Sequence, residues 1–123
     1  MKQPIPYVVA RILVASVFVG LGAERLLVKA GVLNGRTPPG AAGVAFSMFE
    51  LLAGVAIMIG WQAGRLSLLL GVFLMVDAFM AHPFWSHDGV EQHAQLLHFL
   101  KNLAIIGGLL LLSWAEAVRP AQP

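Results

Sequence analysis

Residues 41–61 read AAGVAFSMFELLAGVAIMIGW, an apolar run whose one charged residue is Glu50. A helix needs about 20 apolar residues to cross the hydrocarbon core of a bilayer. Open sheet edges are not tolerated in lipid, and the run is far too long for a strand of a membrane barrel. It therefore predicts a transmembrane helix that carries a carboxylate inside it.

Three further runs of similar length and hydropathy lie on either side, at 7–27, 64–82 and 95–114. Of the 123 residues, 59% are hydrophobic and only 11% are charged, whereas a soluble domain carries about 25% charged residues. Lipid must therefore cover much of the surface. We predict an all-α fold, a four-helix transmembrane bundle of up-down topology that forms a single integral membrane domain over residues 1–123.

The segments between the runs set the topology. A loop rich in Gly and Pro covers 31–40, a tight turn lies at Gln62 and Ala63, and a polar loop is predicted from Pro83 to His93. Four spans place both termini on one side of the membrane. The bias of Lys and Arg between the two sides is close to a tie, and we favour cytoplasmic termini. The residues compared are Lys2, Arg65 and Arg119 on the terminal side, and Lys29 and Arg36 in the first loop.

Composition excludes several functions. The chain has no cysteine, which excludes thiol–disulfide exchange, cysteine-held iron–sulfur clusters and haem attached through cysteine. A net charge of +2 is too small and too scattered for a nucleic-acid partner. Arg11 interrupts the first apolar run, which argues against a cleaved signal peptide.

Ionisable and polar residues inside the spans are the main functional signal. A charge at the centre of a bilayer costs about 3 kcal/mol or more, so such residues usually face protein. Because successive spans alternate in direction, these side chains are expected at similar depths, roughly 7–14 Å from one surface. They predict a polar pocket for a ligand in one half of the bundle. The pocket candidates are Glu24, Arg25, Glu50, Asp77, His82, His98, Lys101 and Asn102.

The fourth span places three of these candidates on one helical face. His98, Lys101 and Asn102 are spaced i, i+3 and i+4, and Lys101 is expected to pair with Asp77 or Glu50. Buried ion pairs can also simply fix helix register. The candidates include three acids and two bases, an excess of acid that favours a cavity over pairing alone. Arg11, near the other surface, is expected to snorkel to the interface.

All four histidines lie between His82 and His98, with Asp88 and Glu91. Their spacing matches no known metal site, because there is no HExxH and no histidine pair at i, i+4. We therefore predict a solvated interfacial loop without a metal. His82 and His98 are better suited to exchange protons or to hydrogen-bond a ligand.

Small residues predict close helix contacts. The pairs with the required spacing are Ser16 with Gly20 and Gly60 with Gly64, and Gly107–Gly108 adds a third small patch.

Residues 81–112, AHPFWSHDGVEQHAQLLHFLKNLAIIGGLLLL, resemble the signature of the DoxX family of small bacterial four-helix membrane proteins. The shared pattern is a His-x-Phe-Trp helix end, a Gln, a Phe-Leu-Lys-Asn-Leu-Ala segment and a glycine pair. The second span matches the family's Glu-Leu-x-x-Gly at Glu50, Leu51 and Gly54, and Arg11 is also expected. The first span departs from it, because Arg25 stands where the family commonly has Lys.

The resemblance implies a bacterial inner-membrane location and a link to membrane redox systems. It favours an accessory subunit that binds a quinone-like ligand and that works with a membrane or soluble redox partner, rather than a complete enzyme. Glu50, Asp77 and Lys101 would set the local charge, while His82, His98 and Asn102 would hydrogen-bond the quinone oxygens. Two alternatives stay open: a carrier of protons or small solutes, which requires an oligomer, and a structural partner in the assembly of another membrane complex.

Overall fold

The computed structural model describes residues 3–119, and Lys2, which entered the orientation argument, lies outside them. Four helices account for most of this range: α1 (Ile5–Lys29), α2 (Ala41–Ile59), α3 (Ala63–Ala81) and α4 (Gly89–Val118). A short 3₁₀ turn, Phe84–Ser86, precedes α4. Each helix is long and apolar enough to cross a membrane. The predicted all-α class with four apolar helices is confirmed, and the described residues contain no strand.

The chain divides into two units, residues 3–63 and residues 64–119. The first unit holds the α1–α2 pair and the second holds the α3–α4 pair. Each pair is built from an apolar hairpin with polar side chains near its loop.

Local signals set the helix ends in the first pair. Pro6 lies in the first turn of α1, where its missing N–H costs nothing. Gly60 caps α2 with a left-handed φ of 90°, a conformation that glycine adopts without strain. Gln62 follows with a positive φ of 50°, so the tight turn predicted at Gln62 and Ala63 is present.

Glycines allow α1 and α2 to pack closely, but they are not the predicted ones. A Cβ on Gly22 would lie 2.9 Å from the carbonyl oxygen of Ser47, and one on Gly54 would lie 3.2 Å from the backbone nitrogen of Val19. No atom lies within 4 Å of a Cβ built on Gly20, and Ser16 is exposed. Ser16 and Gly20 therefore do not lie at the contact of α1 with α2, since that face of α1 lies two residues further on.

In the second pair, α4 begins six residues before the predicted span. Residues 89–93, predicted as loop, form its first turn. Asp88 has an extended N-cap backbone and Glu91 places a negative charge in the first turn, where the helix dipole favours it. A span predicted from hydropathy alone does not include these polar first residues of α4. Close packing occurs at Gly64, where a Cβ would lie 3.1 Å from Cβ of Glu116; a Cβ on Gly107 would meet no atom within 4 Å.

Arg11 differs from its predicted role as a snorkelling residue. It is buried, with 6% of its surface exposed, and Nη1 donates to Oε1 of Gln3 over 2.7 Å. Its guanidinium carbon lies 5.5 Å from the ring centre of Tyr7. A Cβ on Gly60 would lie 2.9 Å from Nη1, so glycine at the end of α2 leaves room for the arginine. The side chain does reach the helix ends, but protein rather than solvent covers it.

Candidate functional site

A buried ion pair joins the two helices of the first unit. Nη1 of Arg25 donates to Oε2 of Glu50 over 3.0 Å. The Glu50 side chain is only 8% exposed, and that of Arg25 is 36% exposed. The pair lies one turn from the contact of Gly22 with Ser47 and Leu51, where the helix axes approach closely enough for the side chains to meet.

A second ion pair lies at the mouth of the same hairpin, where the loop leaves α1. Nε of Arg36, in the loop, lies 3.3 Å from Oε1 of Glu24 on α1. An open cavity of about 180 Å³ lies at this mouth. The lining residues are Glu24, Arg25, Val28, Arg36, Thr37 and Pro39. The sequence predicted Glu24, Arg25 and Glu50 as pocket residues; the two loop residues Arg36 and Thr37 were missed because they lie outside the apolar spans.

The second unit holds a hydrogen-bonded network centred on Asp77. Nδ2 of Asn102 on α4 donates to Oδ2 of Asp77 over 3.0 Å. Nε2 of His82, just beyond the end of α3, lies 3.7 Å from the same oxygen. Asp77 is therefore held by a neutral amide and faces an imidazole that forms an ion pair with it when protonated.

His82 connects this carboxylate to the start of α4. Its Nδ1 lies 2.9 Å from Oε1 of Gln95, and an amide oxygen accepts, so Nδ1 is the donor in this arrangement. The ring of His98 stacks on that of His82, with centroids 5.0 Å apart and planes 27° apart. The network can accept a proton at His82 Nε2 and present polar hydrogens to a ligand. Gln95 entered the sequence argument only through the DoxX-like motif.

Aromatic rings surround one side of the network. Phe79 on α3 and Phe84 in the 3₁₀ turn each contact Phe99 edge-to-face, both at 5.3 Å between centroids. Trp85 adds contacts with Phe79 at 5.9 Å and with Phe99 at 6.2 Å. Such contacts anchor the 3₁₀ turn against the helix pair. Trp85 is also more than half exposed, so an apolar aromatic surface lies open beside the polar groups.

Lys101 does not make the ion pair predicted with Asp77. It is exposed, while Asp77 pairs with Asn102 and His82. Lys101 and Asn102 are neighbours in sequence and so lie about 100° apart around the helix. Since Asn102 faces α3, Lys101 is turned away from it.

Seven of the eight predicted candidates make contacts within their own helix pair. Glu24, Arg25 and Glu50 belong to the first pair. Asp77, His82, His98 and Asn102 form the network of the second, and Lys101 lies outside it. Within residues 3–119, no three His, Asp or Glu side chains come close enough to hold a metal ion together.

Two curated proteins of Escherichia coli (strain K12) are similar to this chain over most of their length. Inner membrane protein YqjF is 31% identical over 114 residues, covering 90% of this chain and 84% of that protein. Inner membrane protein YphA is 25% identical over 116 residues, covering 90% and 83%. No protein-family model matches the chain, and no solved structure matches it.

Four apolar helices with charged and hydrogen-bonded side chains inside them define a multi-pass integral membrane protein. The chain belongs to the family of inner membrane protein YqjF. The four spans and both relatives support an inner-membrane location.

Proposed function

We propose that this chain is a DoxX-like accessory subunit of a membrane redox system, and that its α3–α4 pair binds a quinone-like ligand. The observation that carries the proposal is the Asp77–His82–Gln95–Asn102 network beside an open aromatic surface. The DoxX-like signature at residues 81–112 and the membrane-protein relatives support it.

The chemistry of the network suits a quinone headgroup. Quinone oxygens accept hydrogen bonds, which the second N–H of the Asn102 amide, a ring N–H of His98 and, when His82 carries a second proton, its Nε2 can donate. The flat ring is apolar, and Phe79, Phe99 and Trp85 offer aromatic faces and edges against which it can pack. Reduction to the quinol takes two electrons and two protons, and His82, which is partly exposed beside Asp77, can pass the two protons from solvent to the quinone one at a time. The electrons come from a redox partner, so the subunit works with another protein.

A fluorescence titration tests this function. In a variant with Trp61→Phe and Trp114→Phe, Trp85 is the remaining tryptophan and lies in the proposed site. Decylubiquinone added to this protein in lipid nanodiscs should quench Trp85 fluorescence saturably, because quenching requires the quinone ring to come close to the indole. Substituting His82→Gln should weaken the apparent affinity for the quinone about tenfold, because losing one hydrogen bond to a charged or polar group has an effect of this size.

The matched control is His93→Gln. His93 is exposed on the first turns of α4 and no contact of the network involves it, so its substitution should leave the titration unchanged. Linear quenching without saturation, or equal affinities for wild type, His82→Gln and Asn102→Ala, would sink the quinone proposal.

The exposure of Lys101 favours a second candidate, a docking role in the assembly of another membrane complex. An exposed ammonium on an apolar helix is costly unless it reaches a headgroup or meets an acid on a partner. In native membranes, Lys101→Gln should then release a co-purifying membrane protein while leaving Trp85 quenching intact. If the set of co-purified proteins is the same with and without the substitution, Lys101 has no docking role.

A further inference from the structure

The cavity at the mouth of the α1–α2 hairpin shares no lining residue with the network proposed to bind quinone. It lies between the last turns of α1 and the loop that leads to α2, and it has a volume of about 180 Å³. Val28, which is buried, and Pro39 give it an apolar wall. The other lining residues are charged or carry a hydroxyl. An interfacial position with one apolar wall suits a ligand that has a charged head and an apolar extension.

The cations of this cavity have unused hydrogen-bonding capacity. Arg25 gives one N–H to Glu50, and among residues 3–119 no other acceptor contacts its guanidinium. Arg36 lies 3.3 Å from Glu24 through Nε, and its guanidinium carries further N–H groups on its two terminal nitrogens. Two guanidinium groups beside the hydroxyl of Thr37 provide the planar donors that bind a phosphate or carboxylate.

The carboxylate of Glu24 determines which kind of ligand fits the cavity. Glu24 lines the same space, where its Oε1 lies 3.3 Å from Nε of Arg36. A simple anion would be repelled by this carboxylate, whereas a ligand with a primary ammonium group could bind to it. The two ion pairs, Arg25 with Glu50 and Arg36 with Glu24, make the four charges balance. The balance favours a zwitterion over an anion.

We infer that this cavity binds a zwitterion that carries an oxyanion and a primary ammonium, as in a phosphoethanolamine head. The oxyanion lies against Arg25, Arg36 and Thr37, and the ammonium donates to Glu24. A quaternary ammonium such as choline has no N–H to donate and is usually held by an aromatic cage. None of the lining residues is aromatic, so the cavity discriminates against choline.

Arg25 has a positioning function in this site. Its bond to Glu50, a carboxylate buried against α1, fixes the guanidinium before a ligand arrives. Arg36 is mostly exposed on a loop and can release Glu24 when the ligand ammonium replaces it. The ligand therefore exchanges one exposed ion pair for two charge-assisted contacts.

Native mass spectrometry of the full chain, released from detergent, tests the inference. Phosphatidylethanolamine, phosphatidylglycerol and phosphatidylcholine with identical acyl chains are titrated separately, and bound lipid is counted. Wild type should prefer phosphatidylethanolamine by at least about tenfold, the value of one charge-assisted hydrogen bond. Glu24→Gln should abolish that preference and raise the affinity for the anionic phosphatidylglycerol. Arg36→Gln should weaken both of these lipids, because both carry the phosphate.

The control is Glu91→Gln, an equivalent substitution at an exposed position of α4, which should change no lipid affinity. Thermal midpoints of Glu24→Gln and Arg36→Gln within a few degrees of wild type establish that they fold. Equal affinities of wild type for the three lipids, or an unchanged lipid preference in Glu24→Gln, would overturn the zwitterion site.

A competition experiment identifies the source of the zwitterion. If free phosphoethanolamine displaces phosphatidylethanolamine at similar concentration, the site is upheld and its ligand is water-soluble. If displacement needs a large excess, the site is upheld and the acyl chains contribute, which identifies a lipid. Neither result depends on quinone binding, so this site and the proposed function can fail separately.

Discussion

The two helix pairs use intramembrane polar residues in different ways. In the α1–α2 pair, a buried carboxylate meets a guanidinium over 3.0 Å, next to glycines that bring the backbones together. In the α3–α4 pair, a carboxylate that is 48% exposed is held by an amide and faces a histidine. The first arrangement is a buried ion pair between two helices, whereas the second is a hydrogen-bonded network that is open to a ligand.

This difference predicts different consequences of mutation. An ion pair at a tight contact between two helices mainly holds those helices together. An exposed network of amides and imidazoles contributes less to stability and leaves its hydrogen-bonding groups accessible to a ligand. Substitutions in the first pair should therefore change stability most, and substitutions in the second should change ligand binding most.

The largest effect is expected from Gly22→Ala. The added Cβ would lie 2.9 Å from the carbonyl oxygen of Ser47 and 3.1 Å from the backbone nitrogen of Leu51. Backbone atoms cannot move aside as a flexible side chain can, so the helices must separate. We expect a loss of about 3 kcal/mol, the upper end of the cost of overpacking, measured by unfolding in detergent.

Gly20→Ala is the matched control for this prediction. It makes the same change two residues earlier, where a Cβ would meet no atom within 4 Å. Its free energy of unfolding should stay at the wild-type value or rise slightly, because alanine favours helix over glycine. Equal losses for the two variants would show that the α1–α2 contact is not at Gly22.

The next effect is the coupling between Arg25 and Glu50. Breaking a buried ion pair typically costs about 3–5 kcal/mol, and the partial exposure of Arg25 reduces this to about 2 kcal/mol for Arg25→Met. A double-mutant cycle with Glu50→Gln measures the pairwise term. The same cycle for Arg36 and Glu24, which are more exposed, should give at most about 1 kcal/mol. A coupling energy no larger than that of the exposed pair would show that burial does not strengthen the Arg25–Glu50 pair.

The four helices could be predicted from the sequence because hydropathy alone determines which segments can cross a bilayer. The partners of individual residues could not. Lys101 and Asn102 have similar depth and polarity, and the sequence suggested Lys101 as the partner of Asp77. The choice depends on the rotation of α4 about its own axis. Consecutive residues point about 100° apart around a helix, so the rotation decides which of the two side chains faces α3.

The glycine contacts were missed for the same reason. Ser16 with Gly20 has the spacing of a packing motif, but the spacing does not say which face of the helix meets its neighbour. Gly22 and Gly54 form the contact instead. The loop residues of the cavity, Arg36 and Thr37, were missed because depth in the membrane was the criterion, and a loop can fold back onto a helix end.

A smaller effect on stability is expected for Phe99→Leu, which keeps an apolar side chain but removes three aromatic contacts. The loss should be about 1.5 kcal/mol, since three pairs are removed and each contributes about 0.5 kcal/mol at the lower end of its range. Emission of Trp85 should also change as the 3₁₀ turn loosens. Leu100→Ala, at an exposed neighbouring position, should leave both measurements near wild type. If Leu100→Ala loosens Trp85 as much, the aromatic cluster does not hold the turn.

The smallest effect on stability and the sharpest test of the contrast come from Asn102→Ala. The substitution removes the hydrogen bond to Asp77, and side-chain hydrogen bonds between membrane helices contribute about 0.6 kcal/mol on average. The quinone affinity measured through Trp85 should nevertheless fall about tenfold, since a donor to the ligand is lost. A large loss of stability with unchanged quinone affinity would assign Asn102 to helix packing. The α3–α4 pair would then use its polar residues as the α1–α2 pair does.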